Sequence, residues 1–150
     1  MRDKKYCYEY PRPAVTVDIV VFRRGELEDE VLLIRRKADP HKGRWAFPGG
    51  YVEEMEALDK AAARELAEET GLQSLELRQI GAFGDPGRDP RGHTISVAFT
   101  GVLLSDQKVV ASDDAEDVRW ARVSEVPSLA FDHQLILDTA RRVQEQHPLD

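Results

Sequence analysis

The chain of 150 residues, 41% hydrophobic and 33% charged, has the size and composition of one soluble globular domain with room for a core. Its net charge of -7 argues against broad contact with nucleic acid or an anionic membrane, yet local arginines and metal ions can still hold a small anion. The single cysteine, Cys7, rules out an internal disulfide, and a charged start without a signal peptide or an apolar run of ~20 residues points to the cytoplasm.

Residues 1–13 form an arm in which Tyr6, Tyr8 and Tyr10 alternate before two prolines. In extended backbone that spacing puts three rings on one face. Such an arm either forms an edge strand over the domain's own core or reaches a partner subunit or a base. "AVTVDIVVF" (14–22) is rich in β-branched residues and predicts a buried strand. After a charged turn, "VLLIRRK" (31–37) predicts a second strand, and the two form a hairpin. Arg35 and Arg36 then point to opposite faces. Proline and glycine make 38–50 a loop with a short extended piece, where Trp45 and Phe47 read as packing residues before base-stacking ones.

From Ala57 to Thr70 the pattern turns helical, and Gly71 suits the residue that ends a helix. Strands follow at 75–83 and 94–104, separated by the loop "GDPGRDPRGH" (84–93). A polar loop spans 105–117, with a short extended piece at Val109–Val110. A last strand (118–123) and a closing helix within 127–146 complete the chain. No repeat or linker divides it, so the expectation is a single α/β domain over 1–150 with mixed or antiparallel strands.

Residues i, i+3 and i+4 share a helix face, so Glu65, Glu68 and Glu69 converge while Leu58, Ala61, Ala62 and Leu66 supply the buried side. Three glutamates alone suit a solvated acidic face as well as a site for a hard cation. The wider spacing is more specific. Gly50 is followed by five residues, Glu56, seven residues, and then Arg64-Glu65-Leu66-Ala67-Glu68-Glu69-Thr70-Gly71-Leu72. This resembles the Nudix box at every specified position. "WAFPGG" before it resembles the usual lead-in, and the hairpin upstream and closing helix downstream extend the likeness over most of the chain.

The resemblance implies an α/β/α sandwich with a mixed β-sheet, and an enzyme that hydrolyses a nucleoside diphosphate linked to another group. It implies Mg2+ as cofactor, with Mn2+ able to substitute, and a small-molecule nucleoside diphosphate derivative as partner. Glu65, Glu68 and Glu69 match metal-binding positions, and the carbonyl of Gly49 matches a backbone ligand. Arg64 matches the arginine that orients a box glutamate, and Glu56 a supporting acid. Bound cations would then offset the carboxylate repulsion. In relatives that cleave ADP-ribose, an acidic side chain in a late loop serves as base. Asp113, Asp114, Glu116 and Asp117 are available, and Glu116 is the choice by that likeness.

Flanking residues address the substrate. "GDPGRDPRGHTISVAF" (84–99) is similar to a stretch of ADP-ribose pyrophosphatases, including Pro86 where that group carries a marker proline. Arg88 and Arg91 are placed to meet phosphates or the terminal ribose, or else to pair with Asp85 and Asp89 and fix the loop. His93 either caps the loop or faces the site. Arg36 matches a substrate-contacting arginine of several Nudix enzymes. "YPRPAVTVD" and "LAFDHQLIL" also resemble ADP-ribose pyrophosphatases and Nudix regulators of NAD metabolism. Those regulators add a DNA-binding module for which no room is expected here. The relatives are commonly homodimers whose arms help form the partner's adenine pocket, which implies a homodimer with Tyr10 or Arg12 near the adenosine. Cleavage of ADP-ribose to AMP and ribose 5-phosphate is the leading expectation. The alternatives are a nucleoside triphosphate pyrophosphohydrolase and a non-catalytic ADP-ribose sensor.

Overall fold

A computed structural model describes residues 5–111 and 115–148. Strand β1 (Ala14–Arg24) lies at the centre of a seven-stranded sheet. It pairs in parallel with β6 (Thr94–Val102), and antiparallel with β2 (Asp29–Arg36) and β4 (Gly49–Tyr51). Beyond them, β3 (Trp45–Ala46) and β7 (Ala115–Arg122) add to β2, and β5 (Arg78–Phe83) adds to β6. The sheet is therefore mixed.

Each face of the sheet carries one helix, and the alternation along β1 shows why. Val17, Ile19 and Val21 pack with Ala61, Ala62 and Leu66 of α1 (Leu58–Thr70). Val20 and Phe22 pack with Ile136, Leu137 and Ala140 of α2 (His133–Gln146). A strand buried on both faces needs the mostly apolar, β-branched run seen in 14–22, which only Thr16 and Asp18 interrupt. The result is the α/β/α sandwich. Gly71 closes α1 with φ 79°, where its N–H bonds the Ala67 carbonyl, as expected for a C-terminal glycine.

Several boundaries differ from expectation. Residues 5–13 pair with no strand, so the edge-strand reading of the arm fails, and Tyr6 instead bonds Glu54 at 2.9 Å. The closing helix starts only at His133. Ahead of it, Leu129 bridges to Trp45 and the Ala130 N–H bonds the Trp45 carbonyl, which holds 129–130 in extended form against β3. The last strand begins at Ala115 because β2 extends as its partner to Arg36. Val110 stays outside the sheet and bonds the Thr70 carbonyl. Among the described residues no helix is long and apolar enough to cross a membrane.

Candidate active site

A cleft of about 480 Å3 opens where β4 leaves β1, between the middle of α1 and the start of α2. Two glycines shape one wall. A Cβ on Gly50 would lie 2.5 Å from the Glu65 carboxylate, and one on Gly49 would collide with the Val17 carbonyl and lie 2.5 Å from Asp18 Oδ1. Only a residue without a side chain lets these carboxylates lie against the backbone. Glu69, 8% exposed, accepts the Gly49 N–H on Oε2 at 3.0 Å. Glu65 and Glu69 both face the cleft from α1.

Arg64 organises the acidic side. Its Nε and Nη2 grip Glu56 at 2.7 and 2.9 Å, and its Nη1 donates to Glu65 at 2.9 Å and Glu68 at 3.1 Å. Nη2 also donates to the Tyr51 carbonyl at 3.1 Å. The bonds from Arg64 and from the Glu53 backbone hold the Glu56 carboxyl down at about 2, and the same Glu56 contact raises the Arg64 guanidinium. Glu68 is more exposed and lies outside the cleft wall, turned toward Arg64.

The opposite wall is basic. Arg36, at the end of β2, faces the cleft and bonds the Pro40 carbonyl at 2.7 Å, while Arg35 points away, as the alternation requires. Arg91 takes Asp89 through Nε and Nη2, one of the two anticipated loop pairs. Arg88 does not pair with the neighbouring aspartates. It forms a bidentate bond with Asp132, 44 residues away, at 2.9 and 2.6 Å. Burial works against its charge, but Asp132 outweighs that and the guanidinium is raised. His93 bonds the Gly84 carbonyl at 2.9 Å and caps the loop. Phe47 is core, stacked on His133, and Trp45 packs beneath Arg119.

Several residues of the cleft carried no role in the sequence, Asp18, His133 and Phe131 among them. Asp18 and His133 form its floor, and Phe131 stands in its wall. His133 Nδ1 accepts the Phe47 N–H at 3.1 Å, Nε2 faces Asp18 at 3.5 Å, and Ser96 donates to Asp18 Oδ2. Burial pushes the Asp18 carboxyl up, yet His133 and Ser96 outweigh it and hold the group below its usual range. One signal was available: a lone acid inside an apolar run must find buried partners.

Glu116 lies elsewhere. On β7 it faces Arg35 at 3.5 Å, on the side of β2 turned from the cleft, so the likeness that chose it as base is not matched by its position. Asp113 and Asp114 fall outside the described residues. Tyr10 and Arg12 do not line the cleft of their own chain, and Arg12 stacks on Tyr8 at 3.8 Å.

The NUDIX domain family model matches residues 12–140. The chain belongs to the NUDIX family. An ADP-ribose pyrophosphatase of Methanocaldococcus jannaschii is 40% identical over 136 residues, covering 91% of this chain and 78% of that protein. The NUDIX domain of Shewanella oneidensis NrtR, solved with ADP ribose, superposes with a TM-score of 0.83 at 32% identity over 89% of both chains. The longer NrtR has also been solved with a 27mer DNA, and this chain covers 62% of it. A bifunctional NMN adenylyltransferase/ADP ribose pyrophosphatase of Francisella tularensis, solved with AMP and a Mn ion, gives a TM-score of 0.76 at 31% identity. That match covers 93% of this chain and 43% of the other.

NUDIX hydrolases generally work with divalent metal ions. Among the described residues no three His, Cys, Asp or Glu side chains stand together as a ready metal cage. Magnesium seldom needs one. It is usually held by one or two carboxylates completed by water and substrate phosphate oxygens. Glu65 and Glu69, oxygen donors beside glycine backbone, meet that requirement.

Proposed function

We propose that this NUDIX protein, a hydrolase of diphosphate linkages, cleaves ADP-ribose to AMP and ribose 5-phosphate with Mg2+, for which Mn2+ substitutes. The observation that carries the reading is a cleft with arginines on one wall, Arg36, Arg88 and Arg91, and the glutamates Glu65 and Glu69 on the other. A diphosphate ester needs both: cations for its phosphates, and carboxylates that would hold a divalent metal beside them. The likeness to an ADP-ribose pyrophosphatase and to a domain that holds ADP ribose supports the choice of substrate.

Residues act in sequence of position. Arg36 and Arg91 take the phosphate oxygens. Arg88, tied to Asp132, fixes the start of α2 and with it the cleft floor. Glu65 and Glu69, with Glu68 and the Gly49 carbonyl, would hold the metal. When bound, that metal supplies charge neutralisation and an acidified water. Arg64 holds Glu65 and Glu68 in place. Tyr10 and Arg12 serve the adenosine end from a second copy in a homodimer.

The test is product analysis with ADP-ribose and a nucleotide panel, with and without Mg2+. ADP-ribose is expected to exceed any nucleoside triphosphate at least about tenfold in kcat/KM, or ~1.4 kcal/mol of transition-state binding. A triphosphate that wins would replace the substrate. Tight ADP-ribose binding without turnover would make the domain a sensor, the reading favoured by the NrtR complex.

A further inference from the structure

Phe131 has a backbone φ of 49°, in the left-handed region that bulky residues rarely adopt. It is held there from both flanks. Leu129 and Ala130 bind Trp45 on one side, while Asp132 grips Arg88 and His133 accepts from Phe47 on the other. Strain of this kind persists where the surroundings over-determine it, and it gathers at binding sites.

The ring so placed meets two guanidinium groups. Arg36 Cζ lies 4.9 Å from the ring centroid and Arg91 Cζ 5.6 Å. His41 packs edge-on at 4.7 Å. Each arginine is anchored a second time, Arg36 by the Pro40 carbonyl and Arg91 by Asp89. Two cations around one ring repel. Burial first, and the Arg91 charge second, lower the Arg36 pKa. An aromatic face attracts each cation but cancels no charge.

We propose that Phe131 is a positioning residue whose ring sets the spacing of Arg36 and Arg91 as a two-point clamp for the two phosphates of a diphosphate ester. A monophosphate engages one arm of the clamp and a diphosphate both. The proposal rests on the diphosphate reading above, but it is read out by binding, without metal or turnover.

The experiment measures binding of ADP and AMP by titration calorimetry in chelator, for the parent and for Phe131→Leu, Phe131→Met and Phe131→Tyr. Leucine and methionine keep an apolar side chain and the same backbone demand but lack the π-face. The parent should prefer ADP. Leucine and methionine variants should lose about tenfold in ADP affinity and no more than about threefold in AMP affinity, and tyrosine should restore the parent's values. In turnover the same two variants should raise KM and leave kcat near the parent's. Circular dichroism checks that each is folded, and either of the two carries the test if the other is not. Equal losses for AMP and ADP, or an unchanged preference, would overturn the clamp. A parent without any preference for ADP would overturn the clamp and the diphosphate reading together. A parent that shows the clamp but cleaves no ADP-ribose would sink the substrate reading alone.

Discussion

Replacing His133 by Phe isolates the polar floor of the cleft. His133 is 3% exposed, and its ring stacks on Phe47 at 5.4 Å and 20°, a contact that a phenyl ring can keep. The substitution removes the acceptor for the Phe47 N–H and the group facing Asp18. A buried N–H left unpaired costs ~1–3 kcal/mol, and the lost Asp18 contact about 1 kcal/mol more, since Ser96 still donates to that carboxylate. The expected loss is about 3 kcal/mol, a fall in Tm of roughly 6–12 °C at this chain length. Urea and thermal denaturation at pH 7 measure it. The pH dependence gives a second check. A carboxyl whose folded pKa is depressed stabilises above its unfolded pKa, and that stability is lost as pH falls through the folded value. Without His133 the Asp18 pKa rises, so the acid limb of the variant should begin at higher pH. A variant within ~0.5 kcal/mol of the parent with an unchanged acid limb would refute the role given to this floor.

Glu69→Gln keeps an oxygen for the Gly49 N–H, so the fold should survive while steady-state turnover falls about a hundredfold or more; near-normal turnover would place the metal elsewhere. Glu56, with its carboxyl at about 2 against an ordinary 4.5, contributes stability that is present above pH 4.5 and lost as pH falls through about 2. Urea midpoints of Glu56→Gln should therefore depend less on pH within that window, and an unaltered slope would show that the Arg64 contact adds nothing. Deleting residues 1–9 removes Tyr6 and Tyr8, exposed by 53% and 51% in the single chain, and should convert a homodimer to monomer and raise the KM for ADP-ribose. Unchanged mass in ultracentrifugation with unchanged KM would exclude the swapped arm.

What the sequence made legible was whatever a short window decides. The β-branched run of 14–22 read as a buried strand, and the spacing from Gly50 to Leu72 placed α1, its glycines and its end. Period two put Arg35 and Arg36 on opposite faces, the resemblance chose Arg36, and it is Arg36 that lines the cleft. What it hid depends on distant partners. Asp18 meets Ser96 across 78 positions, and His133 meets Phe47 across 86. Arg88 had two aspartates close in sequence, yet the fold delivered Asp132 instead. Phe131 fell unremarked in the segment 127–146 that carries the closing helix, because the bridge of Leu129 to Trp45 beside it has no local signature. Glu68 shows the opposite failure: helix spacing puts it beside Glu65, but one contact with Arg64 turns it out of the cleft.

That contact also changes how the crowding of carboxylates on α1 is to be understood. A guanidinium has five N–H donors, and Arg64 uses Nε once and each terminal nitrogen twice, on Glu56, Glu65, Glu68 and the Tyr51 carbonyl. Lysine, with three donors on one nitrogen, cannot reproduce that fork. The repulsion implied by the glutamate spacing is thus partly answered within the protein, before any cation is considered. Arg64 fixes Glu65 through one oxygen only, and a carboxylate has about four lone-pair sites, so the contact orients the ligand without consuming it. A divalent metal would then find Glu65 and Glu69 already held against glycine backbone. It would have to compete with Arg64 for Glu68, which stands outside the cleft wall.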